Sequence, residues 1–175
     1  MKRLKICLTG LFCLLVTGSS LSGQVVIAPA TGEIYAEIVS AFSASQNSIL
    51  SFGKFSPGAE GGELIISPQN TISVLGSIYL AGGMHSAGSF YVSGEWDSTF
   101  SISLPSEPVV LTNTSDAKTM IVDNWVSVPN EGMGTGQLQN GFQVVYVGAT
   151  LKVGTLNDNP IGIYTGSYKV TFDFN

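Results

Sequence analysis

Cysteine, arginine and histidine are almost missing from this chain. Cys7 and Cys13 are the only cysteines and Arg3 the only arginine, and all three lie in the first 23 residues. If that leading stretch is removed, no disulfide can form, and the Cys/His ligand set of a structural zinc site is not expected because His85 is then the lone nitrogen or sulfur ligand. Positive charge is equally scarce. From residue 24 onward four lysines (Lys54, Lys118, Lys152, Lys169) face twelve carboxylates, a net charge of −8. Such a chain has no basic patch for nucleic acid or anionic lipid, and neither is expected as a partner. No stretch is rich in Ala, Glu, Lys and Leu, which argues against a helical protein. No serine sits in a Gly-x-Ser-x-Gly elbow.

What is present begins with a leader. Lys2, Arg3 and Lys5 precede an apolar run over residues 6–16 and a small-residue exit over 18–23. That order is the pattern of a secretory signal peptide, with cleavage expected after Ser22 or Gly23. The apolar run is short for a membrane span, so no stable membrane insertion is expected after cleavage. Leu11 and Phe12 before Cys13 are too large for lipoprotein processing. The expected product is one exported domain over residues 24–175. At about 150 residues it can bury a sizeable core without covalent help.

Hydrophobic periodicity reads as strands throughout. The clearest is the terminal stretch 163–175, where Tyr164, Gly166, Tyr168, Val170, Phe172 and Phe174 alternate with Thr165, Ser167, Lys169, Thr171 and Asp173. Residues 32–42 alternate loosely, with Ile34, Ala36 and Ile38 on one side, and read as a first strand. Residues 43–48 read as a polar turn, 49–55 as a short strand, 57–62 as a loop and 63–67 as a strand. Residues 72–80 read as a hairpin hinged near Gly76. Residues 89–95 and 99–104 form the expected β-hairpin, joined by a loop over 94–98. Strands follow at 109–112 and 119–128, the glycine-rich stretch 129–141 reads as loop, and 142–153, apolar on both faces, reads as a central strand. About ten short strands punctuated by turns predict an all-β protein, an immunoglobulin-like two-sheet antiparallel β-sandwich.

Chemistry-bearing constellations are thin. His85 has no nucleophile and acid arranged around it in sequence, and reads as a loop or strand-end residue. Glu95 and Asp97 could suggest glycoside hydrolysis, but they flank Trp96 on one turn, whereas that chemistry places two carboxyls across a sugar-sized gap. Trp96 itself is the candidate glycan contact, and Trp125 reads as a core or edge aromatic. Asn157, Asp158 and Asn159 before Pro160 lack the ligand series of a calcium loop and signal a turn. Residues 132–136 are glycine-rich but open no helix and hold no lysine for a phosphate. No catalytic, cofactor or metal site is assigned.

Six segments carry a family resemblance: LSFGKFSPGAEGGELIISP (50–68), AGSFYVSGE (87–95), FSISLP (100–105), MIVDNW (120–125), YVGATLKVG (146–154) and GIYTGSYKVTFDFN (162–175). In order, they resemble the bacterial secreted family catalogued as domain of unknown function 4402. No activity is established for that family, so the resemblance implies no catalytic residue. More distantly, the LSFG segment and the terminal pattern resemble spore-coat-U-like and archaic chaperone–usher pilin domains. This second resemblance implies immunoglobulin-like subunits polymerising by strand donation. Such domains often carry a cysteine pair, which is absent after residue 23 here.

These readings lead to a secreted or surface-exposed, non-catalytic structural or adhesive module of fimbrial type. Its expected partners are copies of itself or other surface subunits. Ile34, Ala36 and Ile38, and Tyr168, Val170 and Phe172, mark the segments expected to pair strands, with the first either donated to a neighbour or paired within its own domain. A carbohydrate-binding module using Trp96 is the alternative, and a hydrolase using Glu95, Asp97 or His85 ranks last.

Overall fold

The computed structural model describes residues 29–175. The expected signal peptide, residues 1–23, lies outside the described residues. The chain divides into a unit ending at Glu37 and a unit Ile38–Asn175. In the first, residues 29–37 form neither helix nor strand, and the Tyr35 hydroxyl donates to the Glu37 carboxylate at 2.9 Å. The first strand expected over residues 32–42 is therefore not formed. Its alternation makes an amphipathic extended segment, but a strand also needs a neighbouring ladder, and Ile34, Ala36 and Ile38 have none among the described residues.

The second unit is all-β, with eleven strands and no helix among the described residues. The strands are β1 Ser43–Ser48, β2 Phe55–Ile66, β3 Ile72–Leu80, β4 Gly88–Ser93, β5 Thr99–Ser103 and β6 Val109–Asn113. They continue as β7 Thr119–Val128, β8 Gly132–Gln137, β9 Phe142–Val153, β10 Tyr164–Thr165 and β11 Thr171–Phe174. Every pairing is antiparallel, and two sheets result. The larger has eight strands along the path β1-β4-β9-β7-β6-β10, with β2 joined to β9 and β3 to β2. The smaller has three, in the order β11-β5-β8. The architecture is a β-sandwich.

Strand β9 organises it. Its amino-terminal half pairs with β4, its carboxy-terminal half with β2, and its other edge with β7. Val145, Val147, Ala149, Leu151 and Val153 point inward along its whole length and are buried. They seed two clusters. One gathers Leu64, Ile66, Met120, Val122, Ala149 and Leu151 beneath β2, β7 and β9. The other gathers Val92, Phe100, Ile102, Leu138, Val145 and Val147 between β4, β9 and the small sheet. Burying Phe100 completely contributes about 3 kcal/mol or somewhat less.

Several expectations change. Residues 89–95 and 99–104 are strands, β4 and β5, but not a hairpin: they belong to different sheets and face one another across the second cluster. Alternation says which side of a strand is apolar. It does not say whether the next strand pairs edge to edge or face to face. Residues 72–80 are one strand, not a hairpin. Gly76 (φ +83°) and Gly61 (φ +66°) adopt left-handed backbone where β2 bulges, residues 58–61 standing opposite Ser77 alone. The loop expected over 57–62 is that bulge. Residues 43–48, expected as a turn, are β1, an edge strand whose polar side chains face water while its backbone pairs with β4. Part of the expected loop 129–141 is β8. Strand β9 and strand β7 fall where the sequence places them.

The terminal stretch 163–175 is two strands in two sheets. β10 extends the large sheet against β6, and β11 pairs with β5 in the small one. Residues 166–170 cross between them. The expected face survives the crossing: Tyr164 packs on the first cluster, and Tyr168, Val170 and Phe172 on the second. Of these last three, only Phe172 lies in a strand, paired with Ile102.

Candidate functional site

The first cluster is not closed. A groove of about 670 Å³ opens onto it between the segment 49–57 on one wall and 156–168 on the other. Its floor comes from β6, β7 and β9: Val109, Leu111, Met120, Val122, Trp125 and Leu151. Met120, Val122 and Leu151 are members of the core itself. The rim is apolar and wet at once, since Ile49, Leu156, Ile161 and Ile163 are exposed, Ile161 to 91%. Isolated exposed apolar residues are ordinary, but here four border one concavity. Among the described residues, Lys54 is the single charged residue lining it.

Both walls present backbone edges. In the first, Ser51 exchanges two bonds of 2.8 Å with Ser86, and Lys54 bonds Ala81 and Gly82 at 2.8 and 3.0 Å. Peptide groups of alternate residues point to opposite edges, so those of Leu50 and Phe52 point away from that ladder, toward the groove. In the second, β10 ends the large sheet with only β6 beside it among the described residues. Open edges of this kind template the pairing of another strand.

Trp125 and Tyr168 form the deep end. Their rings stack at 4.8 Å and 26°. The Trp125 Nε1 and the Tyr168 hydroxyl are both buried without a hydrogen-bond partner among the described residues. Burial alone pushes the Tyr168 phenol up to about 12. Tyr168 fits because β4 places Gly88 against its hydroxyl, where a methyl would overlap it.

The sequence-predicted site residues are scattered. Trp96 is 68% exposed on the connection between β4 and β5 and stacks on no ring among the described residues. Trp125 is turned inward, so the two tryptophans do not form a joint platform. Glu95 and Asp97 sit on the same exposed turn, held by Asp97 N–H donating to the Leu138 carbonyl (2.9 Å) and Ser98 N–H to that of Glu95 (3.3 Å). His85 Nε2 lies 3.3 Å from the Asn70 carbonyl and ties the β2–β3 turn to the segment before β4. Asn159 is buried. Its side chain accepts from Gly154 N–H (2.6 Å) and donates to the Thr119 carbonyl (2.7 Å), suturing the end of β9 to the start of β7. The Thr155 hydroxyl and amide hold the Asp158 carboxyl below its usual range.

Sequence reasoning missed the groove, although it singled out both walls as strand or turn. A usable signal was Ile161 and Ile163, two large apolar residues directly after an Asn-Pro turn. It also missed an outer-face patch in which Tyr91 of β4 stacks on Phe142 of β9 at 5.5 Å, with Tyr146 exposed on the same strand.

A two-sheet antiparallel sandwich whose core opens into one apolar, strand-edged groove defines the class of domain. The chain belongs to the family described as domain of unknown function (DUF4402), whose model matches residues 42–174. No curated protein matches the chain, and no solved structure does.

Proposed function

We propose that this chain is a secreted or cell-surface, non-catalytic structural module that assembles with other subunits by β-strand pairing in the groove. The observation that carries the reading is the groove itself, an opening into the core bordered by two backbone edges. A strand laid there would pair on both sides and cover apolar surface, the combination that gives β-augmentation both affinity and specificity. Adhesive, fimbrial-type assembly and an immunoglobulin-like topology are parts of the same proposal, as is export through the leader.

The test is the solution state of the chain from residue 24, by size-exclusion chromatography with light scattering and by electron microscopy. Concentration-dependent oligomers are expected, lost in Ile161→Lys/Ile163→Lys, whose exposed positions leave folding intact. Oligomers that persist in that variant would place assembly elsewhere, and monomers at every concentration would end the proposal of self-assembly. The alternative reading, glycan binding, rests on exposed Trp96. Saturable glycan binding abolished by Trp96→Ala would favour it.

A further inference from the structure

The outer face of the large sheet carries a second surface, one that does not depend on the groove. We infer that the exposed aromatic residues Tyr91, Phe142 and Tyr146, with the serine hydroxyls beside them, form a binding platform for an uncharged oligosaccharide.

Strand register builds the surface. Residues opposite one another in an antiparallel ladder share a face of the sheet. Ser43 of β1, Ser93 of β4 and Phe142 of β9 make one such row, and Ser45, Tyr91 and Val144 make the next. Tyr146 follows two residues on, opposite Val128 of β7. The intervening Val92, Val145 and Val147 are buried in the second cluster, so these rows face away from the small sheet, into solvent. Tyr91, Phe142 and Tyr146 are 41%, 44% and 44% exposed. From Phe142 to Tyr146 the surface runs roughly 14 Å along β9.

Sheet stability does not account for it. A cross-strand aromatic pair strengthens a sheet, which explains the near-parallel stack of Tyr91 on Phe142. Tyr146 stacks on no ring among the described residues. Area speaks against a protein as the occupant. At these exposures the three rings offer about 250 Å² together, taking roughly 200 Å² for each bare side chain. A stable protein interface takes roughly 800 Å² from each partner.

Charge and hydroxyls decide for a neutral sugar chain. No carboxylate, lysine or histidine stands in these rows. From residue 24 onward the chain carries a net charge of −8, which repels an anionic ligand. A pyranose presents C–H groups on its faces and hydroxyls around its rim. The faces pack on aromatic rings, and the hydroxyls need partners that both donate and accept, as serine does. The Ser43 and Ser93 hydroxyls lie 3.0 Å apart and exposed beside Phe142, and Ser45 is exposed beside Tyr91. The aromatic surface is longer than one sugar ring, so affinity should grow with chain length. All three rings stand on paired strands, which hold their spacing without a ligand.

The experiment uses the full chain from residue 24 with maltohexaose, cellohexaose, xylohexaose and chitohexaose as neutral probes and an oligogalacturonate as the anionic one. Calorimetric titration gives affinity, and saturation-transfer NMR reports which sugar protons touch aromatic side chains. At least one neutral probe should bind saturably, with saturation reaching its C–H protons, and its disaccharide should bind more weakly. Tyr146→Thr and Tyr91→Thr should each weaken binding by about tenfold. Threonine suits a strand, and Tyr146 lies outside the stacked pair, so Tyr146→Thr should keep the thermal midpoint and carries the test even where Tyr91→Thr loosens the sheet. Trp96→Ala should leave the affinity unchanged. Binding lost in Trp96→Ala but kept in Tyr146→Thr would move the site to the β4–β5 connection and overturn the proposal. Binding of the oligogalacturonate alone would overturn the uncharged ligand. If no neutral probe binds, the platform is not a glycan site, and self-association weakened by Tyr146→Thr would make it a protein interface instead. Assembly through the groove, read from Ile161→Lys/Ile163→Lys, stands or falls separately.

Discussion

Gly88 and Tyr168 form a contact in which one residue's missing side chain makes room for the other's. A methyl at 88 would overlap the Tyr168 hydroxyl, while the next ring atom, Cζ, lies 3.4 Å away, an ordinary contact. Gly88→Ala should therefore destabilise the domain by about 1–3 kcal/mol, the usual range for overpacking. In a Tyr168→Phe background the same substitution should cost under about 1 kcal/mol, because only the oxygen obstructs it and alanine suits a strand better than glycine. Urea denaturation of the four proteins gives the coupling. A cost unchanged by Tyr168→Phe would mean that the backbone of β4, not the hydroxyl, rejects the methyl. The same hydroxyl ties stability to alkaline pH. Its folded value of about 12 exceeds the ordinary 10 because burial disfavours the phenolate. For an acid raised on folding, the contribution is fully present below pH 10 and is lost as pH climbs toward 12. The fall in unfolding free energy between those values should be shallower in Tyr168→Phe than in the unsubstituted protein.

At the scale of elements, the crossing segment 166–170 matters most, because it carries one apolar face from the large sheet to the small one. Val170 packs on the second cluster, and its neighbour Lys169 is exposed. Val170→Asp should cost roughly 3 kcal/mol or more through an unpaired charge facing the core, and Lys169→Asp under about 0.5 kcal/mol. Equal losses in thermal melts would show that the crossing does not preserve the face. This face was legible in the sequence. The break into β10 and β11 was not, because alternation reports a side and gives no partner. The same reason explains the β4–β5 pair, taken from its spacing as a hairpin although its apolar sides meet across the core. Strands β7 and β9 were legible at their bounds because their own residues suffice: one is long and flanked by turn residues, the other apolar on both faces. Strand β1 was hidden because an edge strand can be polar on both faces. The groove was least legible of all. Its walls, residues 49–57 and 156–168, come from opposite halves of the chain, and its character depends on two strand edges having no neighbour among the described residues.

For the whole molecule, charge and assembly pull in opposite directions. A chain beginning at residue 24 carries a net charge of −8, so two copies repel before any groove and strand meet. At an ionic strength of 0.01 M that repulsion extends about 30 Å, and at 0.15 M about 8 Å. A single lysine at the exposed groove rim, Lys54, offsets little of it. In the assembly proposed above, repulsion governs the encounter, and burial of the apolar groove governs the lifetime of what forms. The rate of assembly from dilute monomer, followed by light scattering, should rise several-fold between these two salt concentrations and then level off. Dissociation on dilution should change much less over the same range. If added salt slowed association instead, the encounter would be guided by local attraction between unlike charges. The net charge of the chain would then be irrelevant to how its copies meet.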